Sequence, residues 1–142
     1  MEKHMKGRLQ RSARGVVWVV CLAVAPALAW AGTACQFKGQ LSMAGVTEVM
    51  DDCIQSSGAG EQQLRQFCDQ HVAAAREMTQ GFGGVLEGEM HWLSQCPSGA
   101  QGRCEGYGGM QLDTYYYSRA PEMLESLPQS CSMLGGRWVA GD

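Results

Sequence analysis

Six cysteines downstream of an N-terminal export signal constrain this chain more than any other feature of its sequence. They are Cys35, Cys53, Cys68, Cys96, Cys104 and Cys131. An even set of this size in a short exported chain predicts three disulfides, because small domains in oxidising compartments rely on cross-links for stability. The sequence contains no Cys-x-x-Cys pair, so a thioredoxin-like redox centre is not indicated. We therefore expect a small domain held together by structural disulfides.

Residues 1–31 have the three parts of a cleavable signal peptide. A basic segment precedes an apolar run that contains Pro26 and ends in Ala29-Trp-Ala31, a small-residue pattern suited to cleavage. The run is shorter than the roughly 20 residues of a membrane-spanning helix. We expect cleavage after Ala31, with cleavage after Ala29 as the alternative. Residues 32–142 are then one periplasmic or secreted domain.

The cysteine count supports removal of the signal. Cys21 lies in the apolar run, so cleavage turns seven cysteines into six. A lipoprotein alternative stays open, because the small residue Ala34 precedes Cys35 as in a lipobox. Lipidation of Cys35 would leave five thiols, an odd number in which one has no partner. The even count favours the disulfide interpretation.

The net charge of the mature domain disfavours some classes of binding partner. Cleavage removes five of the eleven basic residues but one of the fourteen acidic residues, which leaves a net charge of −7. An anionic surface disfavours nucleic acid and anionic lipid headgroups as partners. We expect no membrane span after signal cleavage, since no later segment is apolar for long enough.

Apolar periodicity predicts a helical hairpin at the start of the mature domain. A helix over residues 44–55 is indicated by the helical spacing of Val46, Val49, Met50, Cys53 and Ile54. A stronger apolar stripe predicts a second helix over residues 61–79. Cys53 and Cys68 would then lie on facing sides of a short turn. Their pairing is our first expectation among the fifteen connectivities that six cysteines allow.

The second half of the chain predicts strands followed by a helix. Residues 85–96 suggest an irregular strand, and residues 104–118, which end in an aromatic, β-branched run, suggest a second strand. With the loop of residues 97–102 between them, these two strands predict an antiparallel hairpin. Pro121 suits the first turn of a C-terminal helix, which Pro128 should kink or divide. A short strand over residues 137–139 follows. The predicted fold class is α+β: an N-terminal helical hairpin, an antiparallel β-hairpin and a C-terminal helix, cross-linked by disulfides.

The tyrosines of the predicted hairpin are the candidate binding residues. On a strand, Tyr115 and Tyr117 point to one face and Tyr116 to the other. With Tyr116 in the core, Tyr115 and Tyr117 would present amphipathic rings suited to another envelope protein or a glycan. The alternative is that tyrosine serves here as a good strand former. The first hypothesis is an exported, non-enzymatic binding or structural protein without a cofactor.

The histidines His71 and His91 carry the competing hypothesis. Each follows a carboxylate by two residues, which suggests a small secreted hydrolase or a metal-binding protein. Residues two apart on a helix do not face each other, so surface positions are the alternative, and no catalytic residue or metal ligand is assigned. Met90 beside His91 makes an envelope copper carrier a third hypothesis. A pocket that gathers a histidine and carboxylates would favour an enzyme, and an exposed aromatic patch would favour binding.

Overall fold

A computed structural model describes residues 33–141, so the predicted signal peptide lies outside the described residues. The strands are β1 (Ala34–Met43), β2 (Val46–Ser56), β3 (Val85–Leu93), β4 (Gly102–Glu105), β5 (Leu112–Tyr116) and β6 (Arg137–Ala140). The helices are α1 (Glu61–Gly81) and α2 (Pro121–Met133), and a 3-10 turn covers Tyr107–Gly109. The strands form one antiparallel sheet in the order β3-β1-β2-β5-β4-β6.

The predicted N-terminal helical hairpin is wrong. Residues 46–56 form β2, which pairs with β1 from Val46 to Gln55 through a two-residue turn at Ala44 and Gly45. Both turn residues have positive φ, 52° and 80°, as in the type I′ turns that match the twist of paired strands. Apolar side chains lie on both faces of β2, with Cys53 on one and Ile54 on the other. The combined spacing of the apolar residues on the two faces resembles the apolar stripe of a helix, which explains the wrong prediction. The fold is instead mostly sheet.

The later elements agree better with the sequence. Helix α1 confirms the helix predicted over residues 61–79, with Leu64 and Cys68 buried. The predicted antiparallel hairpin is wrong, because the strand predicted over residues 85–96 is β3, which pairs with β1, and the segment predicted as its partner forms β4 and β5, which pair with each other. Strand β6 covers the predicted final strand. Helix α2 begins at Pro121 as predicted and continues through Pro128 as a single helix.

Each of the three disulfides ties a strand to an element that covers the sheet. The pairs are Cys35–Cys68 between β1 and α1, Cys104–Cys131 between β4 and α2, and Cys53–Cys96 between β2 and the loop after β3. The expected Cys53–Cys68 pairing is wrong, because Cys53 lies on the face of the sheet opposite α1. The Cys35 sulfur is bonded to Cys68, which leaves it no thiol for a lipid. The three disulfides indicate an oxidising environment.

The two faces of the sheet have different covers. The helix face, under α1 and α2, carries side chains that include Ile54, Leu112 and Tyr116. The loop face carries Cys53, Tyr115 and Tyr117 and is partly covered by residues 94–101. Over residues 33–141, neither helix is long and apolar enough to cross a membrane.

Candidate functional site

A cavity of about 210 Å³ lies between the helix face of the sheet and the two helices. Its walls are mostly apolar and include Phe37, Ile54, Val72, Ala75, Leu86 and Met90. An engineered protein cavity of roughly 150 Å³ is large enough to bind benzene. The space here is therefore sufficient for a small organic ligand.

Small residues on both sides leave this space unfilled. Gly39 on β1 and Gly88 on β3 lie opposite each other in the sheet. A Cβ atom on Gly39 would collide with the Glu87 backbone oxygen and would stand 2.9 Å from Cζ of Phe37, so only glycine fits beneath the Phe37 ring. Above the sheet, α1 contributes the short side chains of Val72 and Ala75 to the cavity wall. These short side chains leave part of the space between the helix and the sheet unfilled.

One end of the cavity is polar and is formed by Asp52, Thr114 and Arg119. Asp52 and Thr114 lie on the neighbouring strands β2 and β5, and Arg119 lies in the connection from β5 to α2. Nη2 of Arg119 donates to Oδ2 of Asp52, and the two side chains are only 8% and 19% exposed. The guanidinium carbon also lies 5.4 Å from the centre of the Tyr116 ring. The result is a buried ion pair at the end of an apolar space.

Three buried side-chain atoms at this polar end have no hydrogen-bond partner in the protein: Oδ1 of Asp52, Oγ1 of Thr114 and Nε of Arg119. They are all the atoms of this kind within the described part of the chain. An unsatisfied buried polar atom typically costs about 1–3 kcal/mol, so native structures contain few of them. That all three belong to residues lining one cavity makes this end the candidate functional site.

Gln101 holds the backbone that presents Arg119. Its side-chain Nε2 donates to the Arg119 carbonyl at 3.2 Å, and its Oε1 accepts from the Arg119 N–H at 2.7 Å. Its own backbone N–H donates to the Tyr116 carbonyl at 2.7 Å. These bonds fix the chain where it leaves β5, so the guanidinium is directed back over Tyr116 toward Asp52.

The electrostatics of the polar end follow from burial. Burial raises the pKa of Asp52 to about 6, the charge of Arg119 opposes this rise, and the charge of Asp51 adds to it. At pH 7 the carboxyl is mostly ionised and balances the charge of Arg119. Burial, and then the Asp52 charge, raise the pKa of the Tyr116 phenol, which therefore stays protonated.

The structure places His71 on the wall of the same cavity. Its ring stacks on Phe67 with centroids 5.4 Å apart and meets Tyr107 edge to face at 6.0 Å. The residue as a whole remains exposed, which puts it at the mouth of the cavity. Partial burial lowers the pKa of His71, so the imidazole is neutral at pH 7. Asp69, the carboxylate that the sequence placed beside it, is exposed and does not line the cavity.

The structure does not bring His91 into this site. His91 pairs in register with Gln36 on the edge of the sheet and is exposed, whereas Met90 lines the cavity. The two side chains considered for copper therefore point to opposite faces. Nowhere between residues 33 and 141 do three His, Cys, Asp or Glu side chains form a group that could hold a metal ion.

Tyr115 and Tyr117 lie on the loop face, where both are half-buried against the Cys53–Cys96 disulfide. The Tyr117 hydroxyl donates to the Pro97 carbonyl at 2.6 Å and so supports the covering loop. Tyr115 lines an open groove with Arg103. Tyr116, on the helix face, is 8% exposed. A binding role for Tyr115 and Tyr117 remains a prediction.

The polar end was missed at the level of sequence. Asp52 stands between Met50 and Ile54, and on a strand all three side chains share one face. A carboxylate within an otherwise apolar strand face is a signal of a buried polar site. The helix predicted over residues 44–55 hides this signal, because residues two apart on a helix do not share a face.

Comparison of the chain with protein-family models, with curated proteins and with solved structures found no match. Function must therefore be inferred from the geometry of this chain.

Proposed function

We propose that this chain is an exported, non-enzymatic binding protein that holds a small ligand in the cavity under its two helices. It acts in the periplasm or outside the cell, where the disulfides are stable. The observation that carries the proposal is a cavity of about 210 Å³ with apolar walls and one polar end. Small-molecule sites in proteins typically combine these two features.

The size of the cavity sets the expected affinity. A buried aromatic ring removes roughly 150–250 Å² from water, which contributes about 4–6 kcal/mol at 25 cal/mol per Å². Part of this gain is lost to the entropy of association. A simple aromatic ligand is therefore expected to bind with a dissociation constant of about 0.1 mM to several millimolar. Such binding is measurable by NMR titration of the oxidised mature protein.

Filling the cavity tests the proposal. Ala75 lines the cavity, whereas Ala74, the preceding residue of α1, is exposed. We expect toluene to shift the amide resonances of residues around the cavity in the native protein and in Ala74→Phe. Ala75→Phe should weaken toluene binding at least tenfold, because its ring occupies the same space. Equal binding by both variants, with melting temperatures confirming that both are folded, would contradict the proposal.

The loop face supports a second contact, with another envelope protein or a glycan. The supporting observation is the groove that Tyr115 lines together with Arg103 and residues 97–100. A tyrosine ring beside an arginine is a common combination at the centre of protein interfaces. The cavity and this groove lie on opposite faces of the sheet, so each can be tested without altering the other.

A small hydrolase is the alternative function, favoured by one observation: His71 and Asp52 line the same cavity. A neutral imidazole at the cavity mouth has the protonation state of a general base. Hydrolysis of small aromatic esters by the oxidised protein, abolished in His71→Ala and retained in His91→Ala, would support the enzyme. Absence of hydrolysis together with toluene binding would support the binding protein.

A further inference from the structure

We infer that the ligand carries an uncharged group that both donates and accepts hydrogen bonds, and that Asp52, Thr114 and Arg119 hold this group. Carboxamides and hydroxyls are the chemical classes that fit. The inference rests on the proposed function and specifies the ligand chemistry of the same cavity.

The hydrogen-bonding roles of the three unpaired atoms define the ligand group. Oδ1 of an ionised Asp52 can only accept a hydrogen bond, and Nε of Arg119 can only donate one. The Thr114 hydroxyl can do either. A ketone or an ether has no hydrogen-bond donor, so it would leave the carboxylate oxygen of Asp52 unsatisfied. A group that both donates and accepts can form a hydrogen bond with Oδ1 of Asp52 and another with Nε of Arg119. These bonds matter because an unsatisfied buried polar atom is costly.

The charge balance of the cavity disfavours an ionic ligand. Asp52 and Arg119 already neutralise each other through their ion pair. The other titratable side chains on the wall are His71, which is neutral at pH 7, and the phenols of Tyr107 and Tyr116, whose pKa values burial raises. A carboxylate or an ammonium group would therefore enter an apolar space without a counter-charge. An unpaired buried charge costs several kcal/mol, which a neutral group avoids.

Ordered water is the competing explanation for the unpaired atoms. Buried waters typically make about three hydrogen bonds to polar groups that are otherwise unsatisfied. A cavity of about 210 Å³ also has room for a water molecule at its polar end. The two explanations differ in one respect: water at the polar end gives no preference among ligands of the same shape.

The experiment compares five probes that share one aromatic ring: toluene, benzamide, benzyl alcohol, benzoate and benzylammonium. Each is titrated by NMR into the oxidised mature protein at pH 7, and toluene measures the contribution of the ring alone. Benzamide and benzyl alcohol should bind at least tenfold more tightly than benzoate and benzylammonium. This order is expected because only the neutral probes satisfy the polar end without introducing a charge.

Thr114→Val isolates the polar contact, because it keeps the shape of the side chain and removes the hydroxyl. It should weaken benzamide binding three- to tenfold and leave toluene binding unchanged, as expected for one lost hydrogen bond. Thr114→Ser keeps the hydroxyl and should retain the preference for the amide. Thr47→Val, an exposed change on β2, is the matched control and should alter neither affinity. The melting temperature of Thr114→Val without ligand should not fall, since its hydroxyl has no protein partner to lose.

Two results would overturn the inference while leaving the cavity as a binding site. One is an unchanged ratio of benzamide to toluene affinity in Thr114→Val, which would assign the polar end to water. The other is tighter binding of benzoate or benzylammonium than of benzamide. If toluene and every other probe fail to bind, the proposed function itself fails, and the inference fails with it.

Discussion

The helix face and the loop face of the sheet are covered by different kinds of structure. Two disulfides fasten helices to one face, and one disulfide fastens the loop of residues 94–101 to the other. The three buried side-chain atoms that lack a protein partner all belong to the helix face, and within residues 33–141 none lies on the loop face. This asymmetry supports the proposal that a small ligand binds on the helix face.

The two faces differ because the covering loop has free backbone hydrogen-bonding groups, whereas the covering helices have few. On the loop face, the Cys96 N–H donates to the Gln55 side chain at 2.7 Å, and the Pro97 carbonyl accepts from Tyr117. An irregular loop has free backbone donors and acceptors for such bonds, whereas a helix uses most of its own internally. A straight helix also cannot follow every depression of a twisted sheet. Polar side chains beneath α1 and α2 therefore depend on one another or on a ligand.

Reduction of the disulfides should have the largest effect. The cross-linked residues are 33, 43 and 27 positions apart, for which chain entropy predicts about 3–4 kcal/mol per disulfide. The sum is comparable to a typical net stability of about 5–15 kcal/mol, so the reduced protein should be unfolded at 37 °C. Circular dichroism with and without reductant measures this. An unchanged melting temperature would show that packing alone maintains the fold.

Removing single disulfides separates the two faces. The paired substitutions Cys35→Ala with Cys68→Ala and Cys53→Ala with Cys96→Ala should cost similar stability, because their loops are similar in length. Only the first pair should weaken toluene binding, since Cys35 lines the cavity and its disulfide holds α1 over it. Equal losses of toluene binding in both variants would contradict this assignment of the faces.

The next largest effect is expected at Tyr116. This residue packs on Trp138 with ring centroids 5.7 Å apart and belongs to the cluster around Cys104–Cys131. Tyr116→Ala should lower the free energy of unfolding by about 3–5 kcal/mol, as for other large buried side chains. Tyr115→Ala, on the half-buried loop face, should cost less. Urea denaturation of both variants measures the difference, and a larger loss for Tyr115→Ala would contradict the assignment of core and surface.

These comparisons also show what the sequence could and could not predict. Helix α1 was predictable because its apolar stripe is local and has one period. The pairing of β3 with β1 was not predictable, because the residues of a strand favour extended backbone without specifying which strand lies beside it. Strand β2 was not predictable, since both of its faces carry apolar side chains. Its turn at Ala44 and Gly45 also lacks the Asn or Asp that usually marks a type I′ hairpin.

The candidate site was harder to predict than the fold. Asp52 and Arg119 are 67 residues apart and meet only because β2 and β5 are neighbours in the sheet. The cavity depends on how α1 is fastened across that sheet by Cys35–Cys68, a pairing that spacing alone did not favour. The individual residues are visible in the sequence, but their contact is a property of the strand order.

A smaller effect is expected from the pH dependence of Asp52. Its pKa rises from 3.8 to about 6 on folding, so between these values the folded protein binds more protons than the unfolded chain. Stability from this group is therefore greatest below pH 4 and falls as the pH rises to 6, by roughly 3 kcal/mol for a shift of about two units. Asp52→Asn should remove this part of the pH dependence.

Urea denaturation at pH 4 and pH 7 measures the effect of Asp52→Asn against a matched control. Asp69→Asn makes the same chemical change at an exposed position of α1. Between the two pH values, the native protein and Asp69→Asn should lose about 2 kcal/mol more stability than Asp52→Asn. Equal losses of stability between pH 4 and pH 7 in all three proteins would contradict the raised pKa of Asp52.

The smallest effect on the fold, and the sharpest test of the loop face, concerns Tyr115 and Tyr117. Truncation of a tyrosine at the centre of an interface often costs about 2 kcal/mol of binding free energy. Tyr115→Ala with Tyr117→Ala should therefore abolish capture of the partner from an envelope extract, while toluene binding on the opposite face is retained. Because only Tyr115 lines the groove, whereas Tyr117 bonds to Pro97, Tyr117→Phe should preserve capture. Loss of capture in Ala75→Phe instead, with the tyrosine variants unaffected, would place partner binding on the helix face and leave the two tyrosines as supports of the disulfide-bonded loop.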